Sequence, residues 1–298
     1  MNMAIMKNTV ALILALVLIS LSAPKYLAAN DKLLIGLIPE ENIFKQVEKH
    51  RPLEKYLSEK LNMKVKFIIL SKYGDIIDRF TSRELDGAFF GIFTAALAHE
   101  KLGVVPLARP VGLDGSTTAE GYIIVRNDSG IKTVNDLRGK RAVFVDKATA
   151  TGYIFTVAYL RERGIKNISG YFREYYFAGS QDSVVYAVLD GRADVGTVKS
   201  RIFKKLLDKD PTIKDELRIL AKSMSLPDTT LCLKKDIDPD TRQKIKEALL
   251  NMHTDPRGKD VLRELEAARF KEAGMEDFKP VVKLLDNAGV NLKTYNYR

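Results

Sequence analysis

The stretch KLLIGLIPEENIFKQVEKHRPLEKYLSEKLNMKVKFIIL, residues 32–70, decides the fold. It opens with the apolar run KLLIGLIP, which ends at Pro39, and it closes with a second run, MKVKFIIL. Between the runs, apolar side chains recur at helical spacing in residues 42–61, and Pro52 is expected to start a new turn rather than to lie in mid-helix. A strand, a helix and a strand in this order predict two parallel strands joined by a crossover helix.

The same alternation continues along the chain, and a second α/β series fills residues 120–223. We therefore predict an α/β protein of two lobes, each a largely parallel sheet flanked by helices. The chain is expected to cross between the lobes twice. The first lobe would comprise residues 30–118 plus 223–298, and the second would comprise residues 119–222. The part after Lys235 is predicted to be helical.

The composition is that of a globular protein with a sizeable core. Of the 298 residues, 46% are hydrophobic and 29% are charged. Lys and Arg number 48 against 38 Asp and Glu, but the basic residues are interleaved with acidic ones and form no long block, so no nucleic-acid partner is expected. Cys232 is the only cysteine, so a disulfide within the chain is impossible, and the pattern predicts a small buried apolar side chain.

Residues 1–29 are predicted to be a secretory signal peptide that is removed. Lys7 precedes a short apolar run, Thr9–Leu21, and Ala28 and Ala29 offer small residues for cleavage. The run is shorter than the ~20 residues that a membrane-spanning helix needs. An uncleaved membrane anchor is the alternative. With either, we expect the folded part to lie in the periplasm.

Four segments come directly after predicted strands, where ligands bind in open α/β sheets. The first N–H groups of the helices that follow have no partner inside the helix, and hydroxyl side chains add further donors. Such a site suits an anion. The alternative is that Thr151 and Ser180 are only helix N-caps. The candidate residues are Tyr73, Phe90, Gly91, Thr149, Ala150, Thr151, Ser180, Gln181 and Asp182.

The sequence lacks the common catalytic and metal-binding patterns. His50, His99 and His253 lie in separate helical stretches without the spacing of metal ligands. No Ser-His-Asp order, HExxH motif or Walker glycine pattern occurs. We therefore expect a protein that binds without catalysis and needs no metal or cofactor.

Five segments together resemble a known family, the periplasmic substrate-binding proteins of phosphate/phosphite/phosphonate ABC transporters. The resemblance covers the chain from about Asp31 onward. It implies two lobes of the type II periplasmic-binding-protein fold, joined by a two-strand hinge and closing over one small ligand. The segments are RPLEKYLSEKLNMKVKFIILSKYGDII, LDGAFFGIFTAALAHE, TVNDLRGKRAVFVDKATATGYIF, VVYAVLDGRADVG and LPDTTLCLKKDI.

The resemblance also implies roles for single residues. Tyr73 corresponds to the family's ligand-binding tyrosine, and Thr149–Thr151 corresponds to its hydroxyl-rich loop that grips phosphonate. Phe90 and Gly91 stand where the family often has an aromatic and a small residue. Asp228 matches the family's aspartate after the return crossing.

Two departures from the family pattern concern the identity of the ligand. The best-known phosphonate binders carry a histidine beside an acidic residue where this chain has Ser180, Gln181 and Asp182, and Ala150 replaces the middle of three hydroxyl residues. An ionised Asp182 or Asp228 in the pocket would repel a dianion, so the ligand should bring a proton or an ammonium. Monoprotonated phosphate, phosphite or an aminoalkylphosphonate meets this condition, whereas sulfate does not.

Together the residues and the resemblance predict a periplasmic solute-binding protein. It would capture a small phosphorus oxyanion by hinge closure and deliver it, as a monomer, to the membrane permease of an ABC transporter. The alternative is a ligand sensor that feeds a membrane sensor kinase. An enzyme on the same scaffold is a third reading, and the lack of an evident nucleophile–base pair disfavours it.

Overall fold

The computed structural model of the protein describes residues 32–82 and 84–298, and the predicted signal peptide, residues 1–29, lies outside them. The strands are β1 (Lys32–Leu37), β2 (Lys64–Ile69), β3 (Gly87–Phe90), β4 (Val105–Gly112), β5 (Thr118–Ala119), β6 (Gly121–Arg126), β7 (Arg141–Phe144), β8 (Glu174–Phe177), β9 (Val195–Lys199), β10 (Leu217–Lys222), β11 (Leu226–Pro227), β12 (Thr230–Leu233) and β13 (Ala267–Glu272). The α-helices are α1 (Ile43–Leu61), α2 (Asp75–Thr81), α3 (Ile92–Leu102), α4 (Phe155–Arg161), α5 (Ile168–Tyr171), α6 (Gln181–Leu189), α7 (Ser200–Lys209), α8 (Thr212–Glu216), α9 (Pro239–Leu250), α10 (Pro256–Glu264) and α11 (Lys279–Ala288). A π-helical segment covers Ala150–Ile154, and short 3₁₀ turns cover Asn127–Ser129, Val134–Leu137, Met252–Thr254 and Met275–Phe278.

The first sheet has the strand order β13-β4-β12-β3-β1-β2. β1 pairs in parallel with both β2 and β3, as the strand–helix–strand pattern of residues 32–70 predicts. β12 returns antiparallel between β3 and β4, so β1 to β4 all run in one direction. As predicted, these four strands run parallel to one another. The sheet as a whole is mixed, because β12 lies between β3 and β4 and pairs antiparallel with both.

The second sheet repeats this design with the order β10-β6-β9-β7-β8. β7 pairs in parallel with β8 and β9, and β6 lies antiparallel between β9 and β10. The carboxyl ends of the parallel strands in each sheet are therefore free to contribute loops to a common site.

Between the two sheets, β5 and β11 form a small antiparallel pair. Ala119 lies opposite Leu226, and Thr118 lies opposite Pro227. The chain passes from the first sheet to the second at β5 and returns at β11. The lobe limits predicted from the sequence lie at β5 and shortly before β11, and the division of the chain into lobes at these residues stays a prediction.

Helix α1 shows how local sequence sets an element. The Asn42 side chain caps its start by accepting hydrogen bonds from the N–H groups of Phe44 and Lys45, and Asn62 ends it in the left-handed region with a φ of 50°. Pro52 lies inside this single helix rather than at the start of a new turn, which corrects the prediction. The proline lacks an N–H, so the helix forgoes one backbone hydrogen bond there, and burial of Leu53 next to it offsets the loss.

β13 is a strand in the part of the chain that the sequence predicts to be helical. Helix α10 ends at Glu264, and Glu266 adopts a φ of 55°, which breaks the helical run. The following residues then pair antiparallel with β4. The all-helical prediction is wrong here because a long-range partner strand overrides the local pattern.

The core of each sheet is apolar on both faces. On one face of the first sheet, Leu33, Ile35 and Leu37 of β1 pack in one cluster with Leu53 and Leu57 of α1. Cys232 of β12 is fully buried, which confirms its prediction as a small apolar side chain, and burial raises the pKa of its thiol.

Candidate functional site

A small cavity lies where the carboxyl ends of strands from both sheets meet. Its volume is about 20 Å³, room for about one water molecule. β1, β2 and β3 of the first sheet and β7, β8 and β9 of the second all lead into it, which is where ligands bind in open α/β sheets. The lining residues are Glu40, Tyr73, Gly91, Ile92, Phe93, Ala119, Ala148, Thr149, Ala150, Thr151, Gln181, Lys199, Pro227 and Asp228.

Tyr73 follows β2 and presents a buried hydroxyl group to the cavity. Its side chain is 2% exposed, and its hydroxyl oxygen finds no hydrogen-bond partner among residues 32–82 and 84–298. Burial, together with the nearby Glu40 carboxylate, raises the pKa of Tyr73 well above its usual value, and the side chain of Gln181 is near enough to oppose this rise although its geometry makes no hydrogen bond. The hydroxyl therefore stays protonated at neutral pH and is available as a donor.

Gly91 places the start of helix α3 at the cavity. It is the N-cap residue, and no side chain caps the helix there. Ile92 and Phe93, the first two residues of the helix, line the cavity beside it. Their N–H groups have no carbonyl partner within the helix, and the helix dipole adds partial positive charge, so this end of α3 favours an anion.

The segment after β7 contributes two threonines with different roles. The Thr149 hydroxyl donates a hydrogen bond of 2.6 Å to the carbonyl oxygen of Asp146, which fixes the turn. The Thr151 hydroxyl makes no such bond to any residue that the structure describes, and Thr151 is 6% exposed at the cavity. Thr151 therefore offers its hydroxyl as a free donor, whereas Thr149 has already used its own.

Gln181, the first residue of helix α6, links the two sheets. Its backbone N–H donates to the carbonyl oxygen of Glu40 at 3.2 Å, across the cavity. Its side-chain oxygen accepts a hydrogen bond of 2.8 Å from the backbone N–H of Lys199. The cavity is therefore closed on this side by a bond between the sheets.

Three charged residues, Glu40, Lys199 and Asp228, form another wall of the cavity, and Arg201 lies behind Asp228. The Lys199 ammonium contacts the Glu40 carboxylate and lies 3.0 Å from Oδ1 of Asp228. Nε of Arg201 lies 3.3 Å from Oδ2 of the same aspartate. Burial disfavours the charged form of Asp228, but Lys199 and Arg201 outweigh it and hold the pKa of Asp228 well below its ordinary value. Burial likewise opposes the ammonium, yet Asp228 and Glu40 raise the pKa of Lys199.

Most of the residues predicted for the site meet at this cavity, and three do not. Phe90 is fully buried in the core, with its ring 5.5 Å from that of Phe80. The Ser180 hydroxyl oxygen accepts a hydrogen bond of 3.4 Å from the Ser183 N–H, so Ser180 is the N-cap of helix α6, which was the alternative to a role in ligand binding. The same hydroxyl group donates a hydrogen bond to the Asp182 carboxylate. Those brought together are Tyr73, Gly91, Thr149, Ala150, Thr151, Gln181 and Asp228.

The sequence interpretation did not name Glu40 and Lys199, which also line the cavity. Glu40 follows β1 and Lys199 ends β9, so the rule that singled out Tyr73 after β2 applies equally to both. Their presence changes the charge balance of the cavity. Asp228 is already balanced by two cations, and Asp182 lies outside the cavity lining, so neither requires the ligand to bring an ammonium.

Residues 35–278 match a family described as ABC transporter, phosphonate, periplasmic substrate-binding protein. The chain belongs to this family. The phosphonates-binding periplasmic protein of Escherichia coli is 26% identical over 271 residues, which cover 89% of this chain and 79% of that protein. The family assignment makes the protein a periplasmic component of a transporter, with a small ligand and a membrane permease as its partners.

Solved structures show the same fold. A binding-protein component of a phosphonate transporter from Pseudomonas aeruginosa superimposes with a TM-score of 0.79 at 20% identity, covering 86% of each chain. PhnD1 from Prochlorococcus marinus, in complex with methylphosphonate, gives a TM-score of 0.77 at 19% identity and covers 87% of this chain and 98% of that one. The predicted α/β class, a two-lobe type II periplasmic-binding-protein fold, is confirmed.

Two properties of the described residues bear on other functions. None of the helices in residues 32–82 and 84–298 is long and apolar enough to cross a membrane. The same residues contain no group of three or more His, Cys, Asp or Glu side chains placed to hold a metal ion.

Proposed function

We propose that the protein captures a small phosphorus oxyanion (phosphate, phosphite or a phosphonate) in the cavity between its two lobes and delivers it to the permease of an ABC transporter. It binds the ligand without catalysis and acts as a monomer after its signal peptide has been removed. The relatives support this reading, because the E. coli protein is named for phosphonates and the Prochlorococcus protein was solved with methylphosphonate.

The Tyr73 hydroxyl is the observation that carries the proposal. A buried hydroxyl without a partner is costly, by about 1–3 kcal/mol, unless a ligand satisfies it. The uncapped start of α3 at Gly91 and the free hydroxyl of Thr151 line the same cavity. Together they offer neutral donors from both lobes, and neutral donors hold an anion without adding charge to a dry site.

The size and position of the cavity support a proposal of binding by hinge closure. At about 20 Å³ the cavity is narrower than an oxyanion of several heavy atoms requires. We propose that the ligand enters with the lobes apart and that they turn about the β5–β11 pair to close on it. The Gln181–Glu40 bond then forms part of the contact between the closed lobes.

A thermal-shift panel of phosphate, phosphite, methylphosphonate, sulfate and acetate tests the proposal. At about 100 times its dissociation constant, a ligand that binds only the folded state adds about 2.7 kcal/mol to the free energy of unfolding. We expect at least one phosphorus oxyanion to raise Tm in this way. Equal shifts with all the anions, or none with the phosphorus compounds, would contradict the proposal.

The variant Tyr73→Phe tests the site itself. Loss of a hydrogen bond to a charged ligand costs roughly 1.5–3 kcal/mol, so we expect Kd to rise at least about tenfold by calorimetry. Tyr171→Phe is the matched control, because the Tyr171 hydroxyl donates to the Val134 carbonyl oxygen and does not line the cavity. Equal effects of the two substitutions would remove Tyr73 from the site.

A further inference from the structure

Lys199 is the unusual member of the cavity wall. It is the last residue of β9, and its side chain is 8% exposed. A lysine so buried persists as an ammonium only when carboxylates surround it. Here Glu40 of the first lobe and Asp228 beside the return crossing both contact Nζ.

Both carboxylates of the cavity already have cationic partners: Lys199 contacts Glu40 and Asp228, and Arg201 faces Asp228. Oδ1 of Asp228 accepts from Lys199 Nζ at 3.0 Å and from the Thr229 N–H at 2.8 Å. Oδ2 of Asp228 faces Nε of Arg201 at 3.3 Å. Glu40 and Asp228 carry two negative charges, and Lys199 and Arg201 carry two positive charges, so the group is balanced before any ligand enters.

A ligand with its own ammonium would therefore meet a charge of the same sign. From the cavity this ligand would approach Lys199, and none of the lining residues offers an unpaired carboxylate to compensate for the repulsion between the two ammonium groups. A like charge in such a confined site is strongly unfavourable. A simple oxyanion brings no ammonium and meets no such conflict, because Lys199 and Arg201 neutralise the two carboxylates that would otherwise repel it.

We infer that Lys199 is a specificity-determining residue, a tethered ammonium that occupies the place between Glu40 and Asp228 and excludes phosphonates that carry an amino group. The inference rests on the proposed function and deepens it. The cleft selects phosphate, phosphite or alkylphosphonates and rejects aminoalkylphosphonates.

Isothermal calorimetry at pH 7 with methylphosphonate and 2-aminoethylphosphonate tests this on the intact protein. We expect the unmodified protein to bind 2-aminoethylphosphonate about 100-fold more weakly than methylphosphonate. In Lys199→Ala the place of the ammonium is empty and both carboxylates remain. We expect this variant to bind 2-aminoethylphosphonate at least about tenfold more tightly than the unmodified protein, and methylphosphonate at least about tenfold more weakly.

Two further variants separate the effect of the Lys199 charge from the effect of the space that its side chain fills, and from the loss of a lysine elsewhere. Lys199→Met removes the charge but fills the same space, so we expect it to lose affinity for methylphosphonate and to gain less affinity for 2-aminoethylphosphonate than Lys199→Ala gains. Lys205→Ala is the control: this lysine of α7 pairs with Glu41 and Glu266 and does not line the cavity, so we expect both affinities to stay within about twofold.

The results distinguish the two proposals. If the unmodified protein binds both phosphonates equally well, the role of Lys199 is wrong and the proposed function stands; this comparison requires no variant to fold. If Lys199→Ala folds but gains no affinity for the amino compound, the exclusion by Lys199 is likewise wrong. If the unmodified protein binds no phosphorus oxyanion in the thermal-shift panel, the proposed function fails and the inference fails with it.

Discussion

At the scale of the residue, Thr149 and Thr151 show that two neighbouring hydroxyl groups can have different tasks. Thr149 donates to the Asp146 carbonyl oxygen and holds the turn, while Thr151 keeps its hydroxyl free at the cavity. The sequence TAT cannot distinguish them, because both residues are of the same type and both follow the same strand. The distinction depends on the direction of each side chain in the folded turn.

This difference predicts opposite results for two isosteric substitutions. Thr151→Val removes the free donor, so we expect the Kd for methylphosphonate to rise at least about tenfold while the free energy of unfolding changes little. Thr149→Val removes the bond within the turn, so we expect a loss of about 1 kcal/mol of stability and a smaller effect on binding. Calorimetry and urea unfolding of the two variants measure both quantities. Similar profiles for the two variants would contradict the assignment.

Sequence reasoning places much of the candidate site but not its charged part. The rule that ligands bind after strands finds Tyr73 and Gly91, and both line the cavity. Glu40 and Lys199 follow the same rule, but an acid after a strand or a lysine at its end also suits an exposed loop. Only the fold shows that Lys199 is buried between carboxylates from distant parts of the chain.

At the scale of the element, the π-helical segment sets the geometry of the loop that follows β7. The N–H of Ile154 donates to the Thr149 carbonyl oxygen at 3.1 Å, five residues back, where an α-helix would bond four residues back. Gly152 allows this turn to press against β7: its carbonyl oxygen accepts from the Val145 N–H at 3.2 Å. A Cβ at Gly152 would lie 2.6 Å from a methyl carbon of Val145.

We therefore expect Gly152→Ala to force the segment away from Val145. Overpacking of this kind costs about 1–3 kcal/mol of stability, and the displaced Thr151 hydroxyl should weaken methylphosphonate binding as well. Gly170→Ala is a control in the same lobe, because Gly170 is exposed and a Cβ there would meet only the flexible side chain of Asn167. Urea unfolding and calorimetry of both variants test this. If Gly152→Ala changes neither the free energy of unfolding nor the Kd for methylphosphonate, the close approach of Gly152 to Val145 is not required.

The elements themselves differ in how well local sequence determines them. The periodicity of residues 42–61 predicts helix α1, and the apolar runs on either side predict β1 and β2. In each case the apolar side chains that pack on the core follow a pattern that is visible in the local sequence. β13 and the π-helical turn escape prediction for one shared reason. Each depends on a contact with a distant or adjoining strand, β4 or β7, that no local pattern contains.

At the scale of the whole molecule, His50 connects stability to pH. Its ring packs in an edge-to-face arrangement with Phe67, with ring centroids 6.2 Å apart, and its Nδ1 lies 2.8 Å from the carbonyl oxygen of Gln46. Burial lowers the pKa of His50 to about 4, with Lys49 adding to the effect and Glu41 opposing it. The folded protein therefore binds this proton less readily than the unfolded chain, where a histidine has a pKa of about 6.5.

The folded-state pKa is depressed, so the contribution of neutral His50 is fully present above pH 6.5 and is lost as pH falls toward 4. We expect the free energy of unfolding to fall by up to about 3 kcal/mol over this range on account of His50. His50→Phe keeps an aromatic ring and removes the titration, so its stability should decline less steeply. Urea unfolding at pH 7.5, 5.5 and 4.0 measures the difference, and identical slopes for both proteins would exclude His50 as the cause.

The architecture is the part of the molecule that sequence predicts best. Two alternating α/β series with two crossings suffice to indicate a two-lobe fold, because strand–helix–strand units leave few other arrangements. The contacts that join the two sheets across the cavity are not predictable in the same way. They include single bonds such as that of the Gln181 N–H to the Glu40 carbonyl oxygen, between residues more than a hundred positions apart.

The burial of Cys232 leaves the surface without a reactive thiol, since the chain has no other cysteine. A cysteine introduced at one exposed position would therefore be the single point of attachment for a maleimide dye or a nitroxide. A pair of such labels, one on each lobe, would act as a ruler for the width of the cleft. The proposed closure of the lobes can thus be tested by spectroscopy without the removal of any native cysteine.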